Sequence, residues 1–435
     1  MVAKLSRSRS ARWFALFSIF VSLGLIWGSQ IRVGAQEPDE TDLANRSAFL
    51  ADRQPVEDLA PLGLTRCQGG MAGNYPCKRV DLMSFLPISQ IGGGANTNDL
   101  WGWTDPQTDK EYAIIGRNTG TSFVDISSPT APVYLGNLPA HSVASLWRDV
   151  DVYSDHAFIV SEASNHGMQI FDLTQLRNVN NPPVTFSETQ HYNGMSNSHT
   201  IDVNEDTGFA YAVGTNTCLG GPHIVDVRNP MRPKFAGCFQ DDGYTHETQC
   251  VLYDGPDATY QGREICFAAN TDSLTIVDVT DHADPATVSR TTYAQSGYTH
   301  QGWLTEDSRL FVLNDEFDEL NFGHNYKTRF FNVEDLDTPF VESSFIGPIG
   351  VIDHNLYVKG QYIYESNYQG GLRILAPGPR EVAFFDIYPQ SNNAAFNGMW
   401  GNYPFFESGL VIASGIEQGL FVLRPKLARS PGGSW

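Results

Sequence analysis

Ser122-Phe-Val-Asp125-Ile, Gln169-Ile-Phe-Asp172-Leu, His223-Ile-Val-Asp226-Val and Thr275-Ile-Val-Asp278-Val are versions of one phrase, a β-branched or aromatic strand ending in Asp. Degenerate copies follow at Arg329-Phe-Phe-Asn332-Val, Arg373-Ile-Leu-Ala376 and Phe421-Val-Leu-Arg424. The seven recur about 44–54 residues apart, the period of a four-stranded propeller blade. An apolar strand precedes each, as at Tyr112–Gly116, Ala157–Val160, Ala210–Val213 and Leu310–Leu313. Before that strand come a turn rich in Asp, Asn, Gly and Pro and a further strand. A Pro-marked turn (Ser128-Pro129, Asn229-Pro230, Asp284-Pro285) and an outer strand such as Val133–Gly136 or Lys234–Gly237 follow. Such a unit cannot bury both its faces alone, so neighbours must stack around an axis. The fold class is all-β: a seven-bladed β-propeller of four-stranded antiparallel blades over residues 80–425.

The last unit lacks an outer strand, because the chain turns polar and basic after Pro425. A spare strand, Val80–Ile88, precedes the first unit. It is expected to pair into the seventh blade and close the ring, removing an edge that would invite aggregation. Residues 36–79 read as an irregular polar extension and residues 426–435 as a polar tail.

The Ile-Val-Asp strands look like LVIVD repeats, and residues 80–425 are similar to the secreted choice-of-anchor B family. That resemblance implies a propeller and export, with anchoring segments that differ between members, and implies no reaction. Lys426–Trp435 departs from the anchored pattern, being short and polar without a hydrophobic tail. Release is therefore expected over tethering.

Residues 1–35 have the form of a signal peptide. Lys4, Arg7, Arg9 and Arg12 make a basic start, Trp13–Trp27 an apolar core, and Val33-Gly34-Ala35 a cleavage site after Ala35. The apolar run is short for a membrane span, and no other stretch is hydrophobic enough to be one. Cleavage removes five basic and no acidic residues, deepening the net charge from −21 to −26. Such a field repels phosphate backbones and anionic headgroups, which argues against nucleic-acid and membrane partners. The expected product is a secreted monomer, extracellular or periplasmic, meeting an extracellular protein, a glycan or a small ligand. Six cysteines in an exported chain can all pair, and proximity suggests Cys67–Cys77, Cys218–Cys238 and Cys250–Cys266. No C-x-x-C pair argues for zinc on sulfur.

The feature that exceeds what a propeller needs is a polar column at the start of each unit's first strand. It runs Asp99, Asp149, His199, His246, His300, His354 and Asn397. Only 11 His occur in 435 residues, and four of them stand in seven slots. First strands line the channel, so these side chains should converge at one mouth. Imidazoles beside carboxylates are ligands for a divalent metal ion such as zinc, copper or iron, with Glu247 and Asp353 placed to orient them or to act as a general base. The alternative is that each His donates to a carbonyl of the adjacent blade and locks the ring.

Other motifs yield less. Asp202–Gly208 imitates a calcium loop but lacks Gly at its sixth position and Glu at its twelfth, and its slot is a hairpin turn. Asp315, Asp318 and Glu319, in the longest insertion and near Asn321 and Asn325, are a calcium candidate. Gly92-Gly-Gly94 lacks the Lys of a phosphate loop and reads as a hinge. The repeated Asp125, Asp172, Asp226 and Asp278 read as turn caps. No Gly-x-Ser-x-Gly elbow occurs, and no catalytic residue is assigned. The sequence favours a non-enzymatic binding or interaction scaffold with a metal at the channel mouth. The alternative is a metal-dependent extracellular hydrolase or oxidoreductase using the His/Asp ring.

Overall fold

The computed structural model describes residues 40–427; the leader and the end of the tail lie outside the described residues. Seven four-stranded antiparallel units circle one axis. Their inner strands are Thr97–Thr104, Arg148–Tyr153, Thr200–Asn204, Glu247–Leu252, Thr299–Leu304, Asn355–Lys359 and Met399–Tyr403, heading blades 1 to 7 in chain order. Each next inner strand packs against the last, and the seventh returns to the first. Blade 1 gains a short parallel strand, Val184–Thr185, from the blade 2 connection.

The ring closes as the sequence requires. Val80–Pro87 pairs antiparallel with Gly419–Pro425 as the outer strand of blade 7, and all eight of its residues are buried. Phe85 stacks against Phe421 with ring centroids 4.4 Å apart. Between blades the core is apolar and aromatic, with Phe123 on Phe171 at 4.6 Å and Phe267 on Phe311 at 5.3 Å.

The repeated Asp is a turn device. Asp125, Asp172, Asp226 and Asp278 each accept the amide of the residue two positions on, at 2.9–3.1 Å, and Asn332 does the same. This side-chain mimic of a turn holds the chain as it leaves the third strand. Asn204 likewise accepts the Asp206 amide, so Asp202–Gly208 is a hairpin turn. In the triglycine link, Gly92, Gly93 and Gly94 all have positive φ, and Arg117 Nη1 bonds the Gly92 and Gly93 carbonyls. A Cβ on Gly92 would lie 2.6 Å from the Tyr134 hydroxyl.

All six cysteines are paired: Cys67–Cys77, Cys218–Cys238 and Cys250–Cys266. Such bridges belong to an oxidising, extracellular-type environment. No helix among the described residues is long and apolar enough to cross a membrane.

The stretch before the ring is less irregular than its composition suggests. Glu40–Asp52 is a 13-residue helix, bracketed in sequence by Pro38 and Pro55 and free of Gly and Pro inside. Met71–Ala72 and Tyr75–Lys78 form a hairpin that extends the outer edge of blade 6, with Cys77 opposite Phe385. Ala48 and Phe49 give the helix an apolar side to dock, which a mean over 44 polar-rich positions conceals.

Blade 1 is also tied to the connection of blade 2 by a bidentate pair. Arg177 Nε and Nη2 donate to Asp105 at 2.8 and 2.6 Å. The Arg177 hydrogen bonds lower the Asp105 pKa to about 2. A depressed carboxylate pKa stabilises the fold above its unfolded value and loses that contribution as pH falls toward 2. Arg177→Ala is expected to destabilise the fold modestly at pH 7, the guanidinium being partly exposed. By urea denaturation the gap between wild type and variant should narrow as pH falls through about 2.

Candidate functional site

Inner strands all start on one face of the ring, and this alternation brings the polar column together. His199, His246, His300 and His354 stand at or just before the starts of four consecutive inner strands, in blades 3 to 6. Successive ring centroids are 4.2, 4.1 and 4.4 Å apart. The result is an arc at one channel mouth, three of its members buried and His199 nearly so.

The arc is wired from behind. His246 Nδ1 donates to the His300 carbonyl at 3.1 Å and His354 Nδ1 to the Trp400 carbonyl at 2.6 Å. His199 Nδ1 meets Glu162 Oε1 at 2.5 Å. A carbonyl only accepts, so the Nδ1 of His246 and His354 carries the proton, and in a neutral ring Nε2 is left as a lone pair. Burial keeps these rings neutral: it lowers the His354 pKa to about 3, and takes His246 and His300 well below the ordinary imidazole range, with help from neighbouring imidazoles.

Glu316 completes the set. It comes from the connection between the second and third strands of blade 5, which ends on the same face. Its Oε2 lies 3.6 Å from His300 Nε2 and its Oε1 3.8 Å from His354 Nε2, beyond hydrogen-bond length. Tyr368 donates its hydroxyl to Oε1 at 2.5 Å. One ligand atom each from His300, Glu316 and His354 lie within 4.8 Å of one another. Ligands about 2.1 Å from a tetrahedral zinc sit about 3.4 Å apart, so small movements would close the set on an ion.

The helix Glu40–Asp52 covers this mouth. Phe49, 2 % exposed, packs on Trp147, Phe396 and Trp400 at 5.5–6.0 Å. Arg46 forms an ion pair with Glu162, which also holds His199. The space left between this cover and the arc is about 20 Å³, room for an ion or one water. Burying a Phe contributes about 2–3 kcal/mol to docking of this element. Phe49→Ala should therefore release the helix, read as lost hydrogen-exchange protection over residues 46–52 while protection in the blades persists.

The other members of the column have different employment. Asp149 bonds the Val150 and Ile201 amides at 2.7 and 2.8 Å, latching blade 2 to blade 3, and Asp151 and Asp202 reach the next blade's amide in the same way. Asp99 accepts from Leu100 and from Asn355. These carboxylates lie beneath the arc with Glu247; burial raises Asp149 to about 6 and pushes Asp99 and Glu247 well up, their mutual charges adding. Asn397 holds the helix cover, donating to the Asp52 carbonyl at 2.7 Å. Asp353 does not back His354, whose partner is the Trp400 carbonyl; it lies instead beside Glu319. Asp315, the first residue of the calcium candidate, is engaged with the backbone: its oxygens accept from the Gly297, Tyr298 and Phe317 amides and the Tyr293 hydroxyl.

A second concavity opens on the same face between blades 2 and 3. It measures about 470 Å³ and is lined by His141, Asn165, His191, Asn193 and Asn216 among others. His141 and His191 stack with centroids 3.7 Å apart, His141 against Glu188 and His191 Nε2 against the His166 carbonyl. His141 and Glu316 lie in connections and His191 in the outer strand of blade 2, all outside the repeated column, which is why the repeat does not announce them.

Comparison with known proteins bears on the fold. The LVIVD repeat profile matches residues 110–138, the second to fourth strands of blade 1. No curated protein matches the chain. A solved protein from Lactobacillus plantarum aligns at 12 % identity over 73 % of this chain and 88 % of that one, with a TM-score of 0.48. The chain is thus a seven-bladed β-propeller whose first blade matches the LVIVD repeat.

Proposed function

We propose that the protein is an exported binding propeller whose working surface is the face carrying the histidine arc, and that His300, His354 and Glu316 hold a divalent transition-metal ion there. The observation that carries this is the convergence of one donor atom each from His300, Glu316 and His354 to within 4.8 Å, with His354 Nδ1 given to the Trp400 carbonyl so that its Nε2 lone pair faces Glu316. The alternative lock between blades accounts for the Nδ1 bonds of His246 and His354 but not for a carboxylate turned toward the lone-pair Nε2 of His354. The space of about 20 Å³ at the mouth suits an ion or one water, which supports binding there over turnover of a larger substrate. The cleft of about 470 Å³ nearby has the size of a small-ligand site, and its imidazole and amide lining suits a polar ligand or glycan. Export follows from the leader-like N-terminus and the three disulfides, as in the choice-of-anchor B proteins that the repeats resemble.

Equilibrium dialysis of the purified protein against zinc tests the reading. The wild type should retain an ion that the doubly substituted His300→Ala, His354→Ala protein, folded by near-UV circular dichroism, does not. Equal retention by both would overturn it.

A further inference from the structure

The blade 5 insertion that delivers Glu316 to the mouth carries a second set of ligands away from it. We infer that Asp318, Glu319 and His324, with Asp353 beside them, form a separate buried site for a divalent ion of the zinc or manganese class.

The first ground is geometry. One ligand atom each from Asp318, Glu319 and His324 lie within 4.8 Å of one another, and His324 Nε2 is 3.5 Å from Asp318 Oδ2. The second ground is what these atoms lack. Glu319 is 3 % exposed, and no side chain or amide of another residue other than the adjacent Asp318 carboxyl meets its carboxylate. Asp318 Oδ1 and Asp353 Oδ1, in residues with no exposed surface, are without donors too. A native fold does not often bury acceptors in this state, and a cation is the partner that would satisfy all of them at once.

The imidazole is prepared in the same manner as those of the arc. His324 Nδ1 donates to the Asn325 carbonyl at 2.8 Å, and its Nε2, facing the carboxylates, has no partner within hydrogen-bond range. Acceptors opposing acceptors need either a shared proton or a metal between them. An imidazole among carboxylates selects a borderline transition ion over calcium, which takes oxygen ligands.

Charge points the same way. Asp318, Glu319 and Asp353 bring three carboxylates together, and Arg329, donating to Asp318 Oδ2 at 2.5 Å, is the buried guanidinium that answers them. Of these carboxylates Arg329 touches Asp318 alone, so Glu319 and Asp353 have no direct cationic hydrogen-bond partner of their own. Asp353 Oδ2 accepts the Lys327 amide at 3.2 Å, so strand three of blade 5 and the lead into blade 6 both position the site.

Zinc and manganese chlorides, each titrated alone into chelator-treated protein, provide the test, with bound metal counted after dialysis. The doubly substituted Asp318→Asn, Glu319→Gln protein keeps the shape of the protonated carboxyls and removes their charge. One ion fewer per chain than wild type, together with loss of the metal-induced rise in Tm, supports the site. The His300→Ala, His354→Ala protein should keep this ion, so failure at the mouth and failure here are read separately. If the Asn/Gln variant binds as many ions as wild type, or if wild type loses its last ion with the mouth histidines, the inference is overturned. If the variant does not fold, His324→Ala gives the same reading, because that side chain is only partly buried.

Discussion

Phe85→Ala should destabilise the propeller by about 3–5 kcal/mol in equilibrium urea unfolding, the usual cost of emptying a buried aromatic site. Phe85 is 1 % exposed, sits in the strand that closes the ring, and meets Phe421 across the join. The effect should exceed packing loss alone in one respect. Blade 7 obtains its outer strand from the N-terminal side of the chain, so loosening Val80–Pro87 opens the seam at which strand pairing joins the two ends of the ring. An opened seam bares the edge of Gly419–Pro425, an apolar strand that can pair with another chain. Aggregation on mild heating should accompany the loss of stability. Val133→Ala, on an outer strand where the side chain is 45 % exposed, should change stability by less than about 0.5 kcal/mol. Equal effects at the two positions would show that closure is not what holds the ring.

His354→Ala should weaken zinc binding at the mouth by more than about 100-fold, measured by competition with a chelating dye. Loss of a group that only orients a ligand costs about 10–100-fold, and His354 offers its own nitrogen. Tyr368→Phe removes the hydroxyl that holds Glu316 Oε1 and leaves the ring in place, so about 10–100-fold is expected there. The order matters more than either value. If the histidines serve only to lock blades, His354→Ala should lower stability through the lost Trp400 carbonyl bond, and neither change should alter zinc affinity.

The fold was legible because its signal repeats. One strand phrase, seven times at a near-constant period and ending in Asp in four copies, fixes the blade, and each Asp does the same local work on the amide two residues on. The closing strand could be read because one blade was a strand short. The histidine arc was legible for the same reason, being one slot of the repeat. What the repeat could not carry is whatever enters once. Glu162 and Glu316 come from connections whose direction is set by tertiary packing. Asp315, Glu316, Asp318 and Glu319 stand within five positions, yet one binds backbone amides, one faces the mouth, and two enter a buried cluster. No spacing rule separates neighbours in an irregular loop. The helix over the mouth escaped for a related reason: its apolar side is defined by the Trp147, Phe396 and Trp400 surface that receives it.

An anomalous-difference map at the zinc edge, from crystals grown with zinc, addresses the mouth most directly. A peak bounded by His300, His354 and Glu316, about 2.0–2.2 Å from their donor atoms, is the predicted result. A mouth without a peak, in crystals that hold zinc elsewhere, would contradict the account.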